Sequence, residues 1–165
     1  MAAIPSPLDT ARWIVATLFA AVLAVAALSD IRHRRIPNWT VLAVAALFGV
    51  WAFVGPAVSV VSSLAAAGIV LLTTGVLYAF GLLGAGDSKL MTAVALFAGL
   101  GHLVQFVLVT IIAGGVLALA SLVIQQAQIF AMIRSESDFG RGIPYGVAIA
   151  VAGAVVMGSF IGAHV

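Results

Sequence analysis

The sequence predicts an all-α, polytopic membrane protein of about six transmembrane helices, with both termini outside. Three observations predict it. Hydrophobic residues make up 64% of the 165-residue chain and charged residues only 7%, whereas soluble domains carry roughly 25% charged residues. The apolar residues fall into runs close to the ~20 residues that a helix needs to cross a bilayer. The seven Lys and Arg residues sit in the short gaps between those runs. A chain of this size reads as one membrane-embedded domain over residues 1–165.

The first span is expected over residues 13–29. Its end, "AALSD", has the small residues of a signal-peptide cleavage site, but "MAAIPSPLDTAR" before it holds one arginine offset by Asp9. That is a poor n-region, and the segment is kept as a helix. "DIRHRRIPN" then interrupts with three arginines, and Pro37 blocks continuation of the same helix. The second span covers 39–54 and ends at the Gly55-Pro56 turn. The third covers 58–83, long enough to tilt. Residues 90–124 hold no charge and would reach roughly 50 Å as one helix, against a hydrocarbon core of about 30 Å. Two helices breaking near residues 99–102 fit better. A polar loop is expected over 125–142 and the last span over 143–163.

Charge sets the orientation. With the N-terminus outside, Arg32, Arg34, Arg35, Lys89, Arg134 and Arg141 fall inside and only Arg12 falls outside. A five-helix count would move Arg134 and Arg141 out, so the charges favour the break. The basic balance thus marks topology beside anionic lipid, and no nucleic-acid partner is expected. The absence of cysteine excludes disulfides and thiolate zinc sites.

This topology brings two acids to one membrane face. Asp30 ends the first helix, and Asp87 precedes the fourth, both on the inner side. Of the five acidic residues they alone stand at the inner edge of spans. Two carboxyls close enough to share a proton support hydrolysis. The ionised one takes a proton from water as it attacks an amide carbonyl, and the protonated one polarises that carbonyl and later protonates the leaving nitrogen. Asp87 also reads as a helix N-cap. An acid at a helix C-terminus is disfavoured by the helix dipole, so Asp30 needs a partner, for which Arg32, Arg34 or Arg35 would serve. The glycines at 81, 84 and 86 supply positive φ or room for a peptide strand to approach.

These residues carry a resemblance. "GAGD" at 84–87 is similar to the Gly-x-Gly-Asp motif of intramembrane aspartyl proteases. With "SDIRHRRIPN" at 29–38, "GDSKL" and "GRGIPYGVAIAVAG", in this order, the chain resembles the type IV prepilin peptidases over nearly its whole length. Its small size resembles the branch serving tight-adherence (Flp-type) pili. The resemblance implies a peptidase of the bacterial inner membrane with catalytic aspartates Asp30 and Asp87. It would remove the basic leader of a prepilin at the cytoplasmic face, cutting after a glycine before the substrate's apolar helix. It implies no metal and no organic cofactor. Larger members carry a cysteine-bearing insertion that this chain lacks, and methylation of the new N-terminus, a second activity of some members, is left open.

Five further residues are candidates for positioning substrate: Gly84, Gly86, Lys89, Pro144 and Tyr145. Lys89 also reads as a snorkelling, inside-marking lysine, and Pro144-Tyr145 as a first-turn proline with an interfacial tyrosine. His33 shares a face with Asp30 if the first helix continues, His102 lies at the opposite end, and Asn38 is expected to cap the second helix. Two other functions fit the composition. A proton-coupled transporter or channel also uses intramembrane acids, although neither acid here is placed at mid-membrane. A non-catalytic assembly factor would keep the topology without needing both carboxyls. The substrate's identity and the oligomeric state are not specified by the residues.

Overall fold

The computed structural model describes residues 6–55, 59–131 and 145–162. Five helices and no strands occur among them: α1 (Pro7–His33), α2 (Asn38–Val54), α3 (Val60–Ala79), α4 (Ala85–Ala131) and α5 (Tyr145–Gly162). Three segments are long and apolar enough to cross a membrane, Pro7–His33, Val60–Ala79 and Ala85–Val123, and Asn38–Val54 and Tyr145–Ile161 are shorter apolar helices.

Local chemistry sets the helix ends. Ser6 caps α1 by accepting the Asp9 N–H, while the Asp9 carboxylate returns a bond to the Ser6 N–H. This capping box satisfies two of the free donors of the first turn. At the other end Arg34 closes α1 in a left-handed conformation (φ 53°), donating its N–H to the Asp30 carbonyl. The expected cap at Asn38 is not formed. Asn38 is already helical, Pro37 holds the cap position, and no side chain caps the turn. Helix α3 stops at Ala79, four residues short of its expected end, because Gly81 (φ 70°) turns the chain. The Gly81 N–H reaches the Tyr78 carbonyl and the Leu82 N–H the Leu77 carbonyl, the paired bonds of a Schellman ending.

The two helices expected across residues 90–124 are present as the two halves of α4, which break at Gly99 (φ 55°, ψ −174°), inside the expected stretch 99–102. One residue in a conformation open almost exclusively to glycine makes the break. The Leu100 N–H, freed at the break, is taken up by Ser62 Oγ at 2.9 Å. The expected loop at 125–142 also begins late, since α4 continues to Ala131.

Contacts along the chain show that α4 reverses at Gly99. Thr74 meets Ser88 and Ser62 meets Leu100, so α3 runs antiparallel to residues 85–98. Gly146 lies on Asp30 and Gly153 on Leu23, so α5 runs antiparallel to α1. Gly153 also touches Val94, whereas Gly114 meets Tyr145 and Gln105 meets Ser159. The first half of α4 therefore accompanies α5 and the second half runs against it. Arg12 Nε donates to the Val54 carbonyl at 2.7 Å and pairs the start of α1 with the end of α2.

A Gly99→Ala substitution tests the turn. Its Cβ would stand 3.3 Å from Ser62 Oγ on a backbone that L-residues rarely adopt. The expected loss is about 2 kcal/mol, read as a lower unfolding midpoint in detergent.

The core lies where α1, α2, α4 and α5 meet. Phe97 is at its centre, 4.4 Å from Phe19, 5.5 Å from Phe48 and 6.3 Å from Trp51 between ring centroids. Large apolar side chains such as Phe53, Leu72 and Val104 face outward instead, as expected of a lipid-facing surface. Trp13 and Trp39 are likewise exposed.

Candidate active site

Three helix ends converge at one end of the bundle. Asp30 is in the last turn of α1, Asp87 in the first turn of α4 and Gly146 in the first turn of α5. Asp30 is only 7% exposed. Its Oδ2 accepts the Gly146 N–H at 2.8 Å. This answers why an acid stands at the C-terminus of α1. It faces the N-terminus of α5, where unpaired N–H groups and the helix dipole favour negative charge. The turn after it is pinned by Ser29 Oγ, which donates to the Arg35 carbonyl at 2.8 Å.

Asp87 is not the N-cap. Gly84 occupies that position, and Asp87 is the third helical residue, its carboxylate folded back over Gly84 with the Gly84 backbone as hydrogen-bond partner. A Cβ at residue 84 would come within 2.7 Å of Asp87 Oδ2, so the space that glycine leaves is the space the carboxylate uses. Asp87 stands at the same end of the bundle as Asp30, near enough for one carboxyl to sense the charge of the other. The pair selected from the sequence is thus brought together in space.

The remaining candidates divide. Gly86 is turned to the α1–α2 connection, where its absent Cβ would meet Ile36 at 3.2 Å. Lys89 is exposed, about 200° around the helix from Asp87. Tyr145 leans its ring on Gly114, at 3.2 Å from where a Cβ would be, beside the Gly146–Asp30 bond. Pro144 lies outside the described residues. His33 is in the last turn of α1 but exposed, and His102 packs on Phe160 at 4.7 Å, at the far end of the bundle. Among the described residues no three His, Asp or Glu side chains cluster in a way that would hold a metal.

A model of the type IV leader peptidase family matches residues 17–119, more than half of the chain. The chain belongs to that family. The match includes both Asp30 and Asp87 and stops short of α5. No curated protein and no solved structure matches the chain. This leader peptidase family member is therefore a membrane protein from a family of proteases, with its paired acids inside the matched segment.

Three contributors escaped the sequence reading. Gly146 stands within "GRGIPYGVAIAVAG", but the sequence gives it no role of its own. Thr74 and Ser88 form a buried hydroxyl pair at 2.8 Å that ties α3 to the helix turn carrying Asp87. Thr74 also donates to the Val70 carbonyl at 2.6 Å, so its one proton is used and Ser88 is the donor of the shared bond. A hydroxyl inside an apolar run, needing a partner, was the available signal. Thr74→Val removes that partner and is expected to lower stability in the peptidase by about 1 kcal/mol, measurable by thermal unfolding in detergent.

Proposed function

We propose that the protein is an aspartyl endopeptidase that removes the leader of Flp-type prepilins at the cytoplasmic face of the bacterial inner membrane. Asp30 and Asp87 activate the water. The observation that carries this reading is the buried Asp30 carboxylate held at the α5 N-terminus within interacting range of Asp87. Membership of the leader peptidase family supports a prepilin substrate.

In this mechanism the ionised carboxyl takes a proton from water while the water oxygen bonds to the scissile carbonyl carbon. The protonated carboxyl hydrogen-bonds the carbonyl oxygen as it gains negative charge. Collapse of the tetrahedral adduct breaks the C–N bond, and a proton passes to the leaving nitrogen. The pair ends with one proton, as it began. Gly84 leaves the space in which the Asp87 carboxylate folds back over the start of α4.

The proposed topology has six crossings, with α4 supplying two through its reversal at Gly99 and both termini outside. Asp30, Asp87 and the arginines after α1 then share the cytoplasmic side. Co-expression with a candidate prepilin tests the function. Wild type is expected to shorten the prepilin by its basic leader, and Asp30→Asn and Asp87→Asn are expected to leave it full-length. Processing at the wild-type rate by either variant would sink the two-aspartate reading.

A further inference from the structure

We infer that Gly146 is a positioning residue for Asp30: its amide holds one carboxylate oxygen, and its missing side chain leaves the space in which that carboxylate stands. The inference rests on the reading of Asp30 as half of the proteolytic pair.

Three observations carry it. The Gly146 N–H donates to Asp30 Oδ2 at 2.8 Å, between two buried residues. A Cβ at 146 would stand 2.9 Å from Oδ2, 3.0 Å from the Asp30 Cβ and 3.2 Å from its Cγ. The crowded atoms belong to a short, buried side chain already held at one oxygen, so they have little room to yield. Finally, α5 is seated on both sides of this contact. Tyr145 rests on Gly114, and Gly153 lies against Leu23 and Val94, where a Cβ would meet atoms at 2.7 Å and 3.1 Å. The direction of the amide is therefore set by a docked helix.

The consequence reaches the chemistry. With one acceptor site of Oδ2 taken by the amide, Oδ1 keeps both of its own for exchanging a proton with water. A glycine in the first helical turn thus determines which edge of the carboxyl faces the reaction. Its effect is exerted through Asp30, without contact to substrate. By contrast, Gly158 on the same helix has nothing within 4 Å of its would-be Cβ, and nothing there calls for glycine.

The test uses the purified full chain in lipid, with a synthetic peptide that carries a basic leader, a scissile-site glycine and an apolar segment. Gly146→Ala is expected to lower kcat about tenfold or more, to leave KM within about twofold, and to change the shape of the kcat–pH profile. Gly158→Ala is expected to match wild type. Gly153→Ala, which crowds Leu23 and Val94, is expected to lower the unfolding temperature.

A stability cycle reads the contact without any need for activity. Gly146→Ala is expected to lower the unfolding temperature by about 3 °C, and the loss should vanish in an Asp30→Ala background, where the crowded carboxylate is gone. A kcat within twofold of wild type overturns the inference. So does a temperature loss that persists with Asp30→Ala while the pH profile keeps its shape. If Asp30→Asn cleaves the peptide at the wild-type rate, the two-aspartate reading itself has failed and the positioning role falls with it. That outcome is told apart by the aspartate variant, whatever Gly146→Ala does.

Discussion

Asp30→Asn and Asp87→Asn are each expected to reduce leader removal by at least about 1,000-fold, and the double variant to be little worse than either alone. The magnitude follows from what each substitution removes. Asparagine keeps the volume and one acceptor oxygen, so the Gly146 amide at 2.8 Å retains a partner and the helix ends stay docked. What disappears is the capacity to take and return a proton, which both the attack of water and the departure of nitrogen require. The non-additivity follows from the cycle. The two carboxyls act on one proton inventory, so losing one disables the step that the other would serve. Initial rates with a prepilin peptide, beside unfolding temperatures close to wild type, check both parts. Losses that multiply in the double variant would show two independent roles in place of a pair.

The second large effect is expected in the core. Phe97→Ala should lower stability by about 3 kcal/mol, the lower end of the range for such truncations. Phe97 is 1% exposed and touches rings from two other helices, Phe19 on α1 and both Phe48 and Trp51 on α2. Truncation leaves a cavity among rings that cannot collapse together, and the lost contacts are not replaced. The transfer part of the penalty is smaller than in a soluble protein, because an undocked helix still lies in lipid. Phe97→Leu retains most of the volume and is expected to cost about 1 kcal/mol. Equilibrium unfolding in mixed detergent micelles distinguishes the two. A Phe97→Ala variant as stable as Phe97→Leu would mean that lipid or neighbouring side chains fill the space.

Legibility differed from element to element. The apolar runs around residues 13–29, 39–54 and 58–83 were visible because lipid demands nearly unbroken apolar composition, and helices α1, α2 and α3 occupy them. The ends were less visible. Helix α3 stops at Ala79 because Gly81 turns left-handed there; the cluster at 81, 84 and 86 offers positive φ, but the residues alone do not tie it to the end of α3. Length and the order of charges both call for the break in the long apolar run. Its form, a reversal at the single residue Gly99, depends on a serine from α3 satisfying the Leu100 amide. By sequence Asp87 reads as a cap, because caps and first-turn acids share residue preferences. Only the backbone shows that Gly84 holds the cap position and Asp87 is the third helical residue.

By itself the sequence determined the class of protein, the runs available to span a bilayer and the two acids worth watching. Those are matters of composition and of charge order along a chain, and a bilayer reads both directly. Tertiary structure alone decided that Asp30 is held by an amide more than a hundred residues away, because a backbone N–H has no sequence signature. It also decided that Thr74 and Ser88 anchor the helix bearing Asp87. Small residues and hydroxyls acquire a role only when docking brings another helix against them.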